Sequence, residues 1–159
     1  MIYLKIFEDF KNTTYEVKKK SSYINPSDKK VMLFNHEYFV VRVDNIIVSS
    51  CIITYPKLSP NKFKKDGSNA FTIYAGGEEL FDDDDDKFVK IYDVKSRKKG
   101  KGYGKLLFEE LSKYLKNKGI NRLYIDVDKE NLRAHDFYKK IGFKKIYDGT
   151  FDIGYSLIF

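Results

Sequence analysis

The chain has little of the residues that form covalent cross-links or metal sites. Its 159 residues include one cysteine, Cys51, and two histidines, His36 and His135. A single cysteine excludes an internal disulfide framework, and so few ligands argue against a Cys/His zinc site. We therefore expect no metal, and the lone cysteine favours a reducing compartment such as the cytoplasm.

No Pro/Gly-rich linker divides the sequence, so we expect one domain over residues 1–159, since domains usually run about 100–200 residues.

A long apolar run is also missing. The most apolar stretch, Ile46–Ile53, is interrupted by two serines and is far shorter than the roughly 18 residues that a membrane helix needs. The first residues, Met1–Lys5, lead directly into Glu8 and Asp9, which is not the pattern of a secretory signal. We therefore expect no membrane partner.

Positive charge is abundant and consists almost entirely of lysine. The formal net charge is +7 with 30 basic and 23 acidic residues, which favours polyanionic partners such as nucleic acid or a phosphorylated small molecule. The basic residues crowd into Lys95–Lys105, whereas five consecutive aspartates stand at Asp82–Asp86. Lysine without clustered arginine is most often a solvated surface, so the positions of the charges matter more than their sum.

Hydrophobic periodicity predicts a mixed α/β domain with one dominant sheet. Strands are expected at Met1–Phe7, Tyr38–Val43, Ile46–Tyr55, Phe71–Tyr74, Phe88–Val94, Arg122–Val127, Phe143–Tyr147 and Phe151–Ile158. Helices are expected at Lys11–Lys20, from a Ser27 cap through Phe34, from Gly102 to Lys118, and at Leu132–Ile141. Turn residues predict two hairpins, through Asp44-Asn45 and Asp148-Gly149. The stretch 56–87 is predicted to be a long acidic loop.

The segment most indicative of chemistry is Val94–Gly104, which carries glycines at positions 100, 102 and 104. Glycines between a strand and a helix leave successive backbone N–H groups able to point at one anion, and the helix dipole adds positive potential. The spacing fits neither a P-loop nor a G-x-G-x-x-G dinucleotide turn. A pyrophosphate-binding turn is the physical interpretation, and a flexible loop with solvated lysines is the alternative.

A second segment makes the interpretation specific. Residues Asn131–Phe143 read N-L-R-A-H-D-F-Y-K-K-I-G-F. With the glycine turn, this segment resembles the GNAT superfamily of acetyl-CoA-dependent N-acetyltransferases, whose motifs read Q/R-x-x-G-x-G/A and N-x-x-A-x-x-F-Y-x-x-x-G-F. The first motif matches as Lys99-x-x-Gly102-x-Gly104, with lysine replacing Gln or Arg, and the register beginning at Arg97 also fits. The resemblance follows the element order from Tyr38 onward.

The resemblance implies a fold, a cofactor and site residues. The fold would be a central mixed and mostly antiparallel sheet, flanked by helices and splayed where acetyl-CoA binds. Backbone groups near Asp93 and Val94 would bond the pantetheine, and Asn131 would lie near this cofactor arm. Tyr138 would be the general acid that protonates the leaving thiolate. The pyrophosphate would bind the backbone amides of Lys99, Gly100, Lys101, Gly102, Tyr103, Gly104 and Lys105.

The sequence leaves the general base and the acceptor open. An amine must lose a proton to attack a thioester, and the candidates are Asp85, Asp86, Tyr92, Asp93 or a water chain. The aspartates of the acidic loop at 56–87 could attract a cationic acceptor, either a small-molecule amine or a peptide amine, and the alternative is a hydrated loop whose charges repel one another. The apolar C-terminal strand Thr150–Phe159 is compatible with pairing across a homodimer.

Two rival functions belong to other classes. A GNAT-like domain that binds acyl-CoA without turnover would have the same amide turn. A nucleic-acid-binding module could use Lys95–Lys105, but the chain has no clustered arginines and no recognisable nucleic-acid motif. CoA affinity measured beside the salt dependence of DNA affinity would separate these functions.

Overall fold

The structure is a computed structural model, and it describes residues 10, 12–24, 31–55, 74–75, 78–79 and 88–159. The strands of this part of the chain are β1 (Thr13–Ile24), β2 (Val31–Val43), β3 (Ile46–Thr54), β4 (Tyr74–Ala75), β5 (Glu78–Glu79), β6 (Phe88–Ser96), β7 (Arg122–Asp128), β8 (Lys144–Asp148) and β9 (Asp152–Ile158). Its helices are α1 (Tyr103–Asn117) and α2 (Leu132–Lys140). The strand expected at Met1–Phe7 and the run Asp82–Asp86 lie outside the described residues.

Hydrogen bonds order the main sheet as β1-β2-β3-β6-β7-β9-β8. The ladders β1–β2, β2–β3, β7–β9 and β9–β8 are antiparallel, and β6–β7 is parallel. β4 and β5 form a separate antiparallel pair. Of the strand expected at Phe71–Tyr74, Tyr74 lies in β4 and residues 71–73 lie outside the described part. The predicted mixed α/β fold with a mostly antiparallel sheet is confirmed.

The chain divides into two compact units, with β6 contributing residues to both. The first unit comprises Met1–Thr54 and Ile91–Lys118, and the second comprises Tyr55–Lys90 and Gly119–Phe159. In the first unit, α1 packs on β2 and β3 through the apolar stripe that its 3.6-residue period predicts. The buried residues of α1 are Leu106, Leu107, Phe108, Leu111 and Leu115.

The core of the second unit combines β7, β9 and α2. Leu123, Ile125 and Val127 are buried along β7, at the period of two that a strand requires. The first residues of β6 pair with the start of β7, in the register Phe88↔Arg122, Val89↔Leu123 and Lys90↔Tyr124. The expectations for β7 and α2 agree with the structure to within a residue or two.

The helix expected at Lys11–Lys20 is wrong, because these residues belong mainly to β1. Tyr15 pairs with Val41 and Val17 with Phe39 across the β1–β2 ladder. The ring of Tyr15 also stacks on that of Phe39, with 5.1 Å between centroids. Cross-strand pairing of this kind decides strand formation more strongly than the local propensity of a lysine-rich segment does.

The helix expected from Ser27 through Phe34 is wrong where the structure describes it. Residues 25–30 lie outside the described part, but Val31–Phe34 form the start of β2. They continue the ladder with β1 through Ser22↔Leu33 and Ile24↔Val31. The backbone hydrogen bonds that a helix would have used are therefore made to a neighbouring strand.

Both predicted hairpins are confirmed. Asp44 and Asn45 have φ values of 49° and 65°, so they form the tight turn between β2 and β3. After Asp148, the Gly149 N–H donates to the Asp152 carbonyl at 2.8 Å and closes the β8–β9 turn. β9 then lies between β7 and β8, so both of its hydrogen-bonding edges are occupied within the chain. Homodimerisation itself stays a prediction.

Candidate functional site

The turn from β6 to α1 has a backbone in which the sign of φ alternates. Lys98, Gly100 and Gly102 have φ values of 47°, 80° and 80°, whereas Lys99 and Lys101 are not among the residues with positive φ. Alternation of this kind turns successive N–H groups toward one side and forms an anion-binding concavity. A Cβ added at Gly100 would meet nothing within 4 Å, so glycine is favoured there by its conformation and not by crowding.

Helix α1 begins without a side-chain cap. Its N-cap is Gly102 in the left-handed conformation, and no side chain bonds to the first-turn amides. The Gly102 carbonyl accepts the first helical hydrogen bond, from Leu106 N at 3.0 Å. The first N–H groups of a helix have no partner within it, and the first turn of α1 has no acidic residue. The amides of Tyr103, Gly104 and Lys105 are therefore suited to bind an anion.

This helix start agrees with the register Lys99-x-x-Gly102-x-Gly104. Leu106 and Leu107 are buried, as that register requires of the apolar pair in the following helix. The alternative register, beginning at Arg97, would shift the helix by two residues.

The lysines of the turn are exposed. Within the described residues, Lys99 and Lys101 make no ion pair, whereas Lys105 lies 3.8 Å from Glu109, one helical turn away. The turn is anchored by its backbone, because Arg97 N donates to the Val48 carbonyl at 2.7 Å. Ammonium groups on an anchored turn add mobile positive charge beside the amides.

A basic groove adjoins the anchored end of the turn. It has a volume of about 580 Å³ and is lined by Arg42, Ile47, Val48, Ser49, Ser50, Lys95, Ser96 and Arg97. The Ser49 hydroxyl is buried and has no hydrogen-bond partner among the described residues. Arg42 is engaged by the Glu16 carboxylate at 3.3 Å, so part of the groove's charge is already balanced.

β6 departs from regular strand geometry at Asp93. This residue has a φ of 48°, which lies outside the usual strand region and changes the direction of the backbone around Val94. The Asp93 carboxylate is paired with the Lys95 ammonium at 3.0 Å, and its role as a base stays a prediction. Tyr92 is half-buried. The other base candidates, Asp85 and Asp86, lie outside the described residues.

In the second unit, Asn131 is the N-cap of α2. Its side-chain oxygen accepts from Ala134 N at 3.2 Å, as expected of an asparagine at this position. The Asn131 residue is exposed. Its local function is therefore to start α2, and its expected position beside the cofactor arm stays a prediction.

Tyr138 is on the buried face of α2 and is only 6% exposed. Its ring contacts Phe143 edge-on, with 5.3 Å between centroids, and Tyr155 at 6.3 Å. The Tyr138 carbonyl accepts from Phe143 N at 2.9 Å, which links the end of α2 to the chain that follows. Several contacts thus hold this ring in place, and its role as an acid stays a prediction.

Sequence reasoning missed a polar cluster on β7. The Asp126 carboxylate accepts hydrogen bonds from the hydroxyls of Tyr124 and Tyr147, and its second oxygen lies 2.8 Å from the Lys90 ammonium. Burial, and next the nearby carboxylate, raise the pKa of Tyr124; burial and the hydrogen bond to Asp126 raise the pKa of Tyr147. No sequence signal could find this cluster, because it depends on the register of four strands.

Sequence reasoning also gave no role to His135. The ring is buried on α2, with Nδ1 2.7 Å from the Tyr155 hydroxyl and Nε2 2.9 Å from the Asp128 carbonyl. Sequence spacing alone cannot distinguish a buried histidine that has two hydrogen-bond partners from a histidine exposed to solvent.

Two kinds of feature are not found in the part of the chain that the structure describes. No group of three or more His, Cys, Asp or Glu residues could hold a metal ion there. No helix among the described residues is long and apolar enough to cross a membrane.

Comparison with known proteins decides the family. A family model described as the acetyltransferase (GNAT) family matches residues 4–143. The chain belongs to the GNAT family. It is also 38% identical over 60 residues to the uncharacterized N-acetyltransferase YobR of Bacillus subtilis (strain 168), a match that covers 38% of this chain and 24% of YobR.

Solved structures resemble this GNAT chain in fold. PaiA N-acetyltransferase from Thermoplasma acidophilum, in complex with coenzyme A, is 17% identical with a TM-score of 0.53, over 78% of this chain and 61% of that one. An acetyltransferase from Thermus thermophilus is 18% identical with a TM-score of 0.52, over 78% of this chain and 64% of that one. The chain spans less than two thirds of each of these proteins and about a quarter of YobR.

Proposed function

We propose that this GNAT protein transfers an acetyl group from acetyl-CoA to a primary amine by direct attack in a ternary complex. The observation that carries the proposal is the turn before α1, where φ alternates in sign and the helix begins at an uncapped glycine. Backbone amides presented in this way suit a pyrophosphate, which acetyl-CoA carries.

Binding of acetyl-CoA is assigned to three groups of residues. The amides from Lys99 to Lys105 bind the pyrophosphate, and the exposed ammonium groups of Lys99 and Lys101 add charge attraction. The backbone around Asp93 and Val94 bonds the pantetheine amides, supported by the irregular φ at Asp93. Asn131, the N-cap of α2, is assigned to the cofactor arm by the GNAT motif.

The reaction balances as a single acyl transfer. The cationic acceptor first loses one proton to water. The amine nitrogen then attacks the thioester carbonyl, the C–N bond forms, the C–S bond breaks, and the nitrogen gives a second proton to water. Tyr138 donates its proton to the departing thiolate and is reprotonated from water. The burial of its ring between Phe143 and Tyr155 supports this assignment, because a fixed phenol is a better oriented donor than a mobile one.

The acceptor is proposed to be a small-molecule or peptide amine that is cationic before it reacts. Support comes from the acidic stretch within residues 56–87, which would attract such a molecule.

We also propose that residues 1–159 act as one acyltransferase domain, in the cytoplasm. The single cysteine, Cys51, is buried and free, and burial raises the pKa of its thiol, as is typical of an unreactive cysteine.

The test begins with CoA affinity, measured by titration calorimetry. Gly102→Glu should abolish measurable binding, because the new carboxylate would occupy the anion position and repel the pyrophosphate. Asn117→Glu adds the same charge at the exposed end of α1 and should bind CoA like the wild type. Unchanged affinity in Gly102→Glu would refute the assignment of the site.

Turnover is tested separately. The wild-type protein with acetyl-CoA is screened against polyamines, aminoglycosides and peptides with free amino termini, and released thiol is measured. Thiol release that depends on one class of amine supports the transferase. Tight CoA binding without thiol release from any acceptor would favour an acyl-CoA-binding domain without catalysis.

A further inference from the structure

His135 lies at the junction of α2, β7 and β9. Its ring is buried, and both of its nitrogens have polar partners. Nε2 lies 2.9 Å from the Asp128 carbonyl oxygen and Nδ1 lies 2.7 Å from the Tyr155 hydroxyl. A carbonyl can only accept, so Nε2 carries the hydrogen and donates it. With hydrogen on Nε2 alone, Nδ1 accepts from the Tyr155 hydroxyl. These two bonds determine one tautomer and one ring orientation.

The Asp128 partner connects His135 to the turn before α2. The Asp128 carbonyl also accepts from Asn131 N at 3.0 Å, and the Asp128 carboxylate accepts from Glu130 N at 2.8 Å. The side chain of His135 therefore binds the same carbonyl that closes the turn leading to Asn131. Since Asn131 caps α2, His135 ties the first turn of this helix to the end of β7.

The Tyr155 partner connects His135 to Tyr138. Tyr155 is fully buried on β9, and its ring lies 6.3 Å from the ring of Tyr138, between centroids. His135 and Tyr138 are three residues apart on α2, so their side chains share one face of the helix. Any rotation of the Tyr155 ring would change the surface against which the Tyr138 ring packs.

We propose that His135 is a positioning residue that fixes the Tyr138 ring through Tyr155 and fixes Asn131 through the Asp128 carbonyl. The inference rests on the proposed acetyl transfer, and it adds to that function a residue that the GNAT motif leaves unspecified between Ala134 and Phe137. A misplacement of about 1 Å can cost a catalytic step on the order of a hundredfold. The bond to Tyr155 therefore affects the rate of the step through Tyr138, and the bond to the Asp128 carbonyl affects the start of α2 at Asn131.

Two matched variants separate the contacts. His135→Gln places an amide N–H near the position of Nε2 and loses the acceptor for Tyr155. His135→Asn places a carbonyl oxygen near the position of Nδ1 and loses the donor to Asp128. We expect His135→Gln and Tyr155→Phe to lower kcat about ten- to a hundredfold with little change in KM for acetyl-CoA. In His135→Asn, kcat should fall less, and amide hydrogen exchange at Asn131 and Ala134 should become faster.

A purely structural role is excluded by combining variants. If His135 acts through Tyr138, His135→Gln should have almost no further effect on kcat in a Tyr138→Phe protein, where the proton donor is already gone. An equal loss in both backgrounds, or wild-type kcat in His135→Gln, would overturn the proposal.

The two hydrogen bonds of His135 can also be tested by a measurement that does not require turnover. Nitrogen chemical shifts of His135 in the wild-type protein should report hydrogen on Nε2 and none on Nδ1. Hydrogen on Nδ1, or wild-type exchange at Asn131 in a His135→Leu protein, would overturn the proposal even if no acceptor is found. If the two hydrogen bonds are observed but no amine releases thiol, the failure lies with the proposed function instead.

Discussion

The hydroxyl of Tyr147 on β8 reaches the Asp126 carboxylate on β7 by crossing the intervening strand β9 at Gly154. Gly154 is the registered partner of both residues, Asp126 on one side and Tyr147 on the other. A Cβ at position 154 would overlap the Tyr147 ring and would lie 3.1 Å from the Tyr124 hydroxyl. Glycine at this position therefore permits a hydrogen bond to form between two strands that are not neighbours.

Substitution of this glycine should destabilise the protein. Gly154→Ala forces the Tyr147 ring away from β9 and weakens its bond to Asp126, at a cost of about 1–3 kcal/mol, typical of overpacking. Urea unfolding followed by circular dichroism measures the loss. In a Tyr147→Ala background the same substitution should cost much less, because the overlapping ring is absent. Equal costs in the two backgrounds would show that crowding by Tyr147 is not the cause.

Stability should fall in alkaline solution because of the two tyrosines that bond to Asp126. Their pKa values are raised in the folded protein, first by burial, whereas an unfolded tyrosine has a pKa of about 10. Their contribution is fully present below pH of about 10 and is lost as pH rises further, since only the unfolded chain then ionises easily. Unfolding free energies across this range, with tyrosinate absorbance, measure it. Tyr147→Phe should show a shallower decline, and a slope like that of the wild type would contradict the assignment.

CoA affinity should weaken as salt increases. Lys99 and Lys101 are exposed ammonium groups beside the amide turn, and exposed charges are screened over roughly 8–10 Å at physiological ionic strength. The double variant Lys99→Ala with Lys101→Ala should bind CoA about three- to tenfold more weakly at low salt and should respond less to added salt. Lys116→Ala, at the other end of α1, is the control. A dissociation constant of the wild type that is independent of salt would exclude a contribution from these lysines.

Tyr138→Phe should lower turnover and leave CoA affinity almost unchanged. The substitution keeps the ring contacts with Phe143 and Tyr155 and removes only the hydroxyl, and general acids typically contribute about 100- to 10,000-fold. We expect a loss of roughly ten- to a thousandfold, with the smaller loss favoured because a CoA thiolate is a fair leaving group. Single-turnover kinetics with the acceptor found by screening measure the step. Tyr15→Phe, on a ring in the first unit, is the matched control.

A wild-type rate in Tyr138→Phe would remove this residue from the mechanism. A large loss of CoA affinity would instead make it a binding residue.

Local sequence patterns were sufficient to predict the strands, helices and turns for which several sequence signals agree. The alternating residues of β7, the apolar stripe of α1 and the paired turn residues Asp44 and Asn45 each predicted what the structure contains. The sequence also predicted the glycine turn, since glycine at positions 100 and 102 permits the positive φ values found there. The motif from Asn131 to Phe143 then indicated the family, which the family model confirms over residues 4–143.

Pairing between distant residues was decided only by the tertiary structure. Residues Lys11–Lys20 resemble a weak helix in isolation, but β2 provides a partner strand that stabilises the extended form. The bonds of His135 to Asp128 and Tyr155, and of Tyr147 to Asp126 across Gly154, require the register of β7, β8 and β9. Residue type and spacing therefore determined the family and the backbone of the amide turn. Which side chains meet depended on strand register, because a shift of one residue moves every side chain to the opposite face.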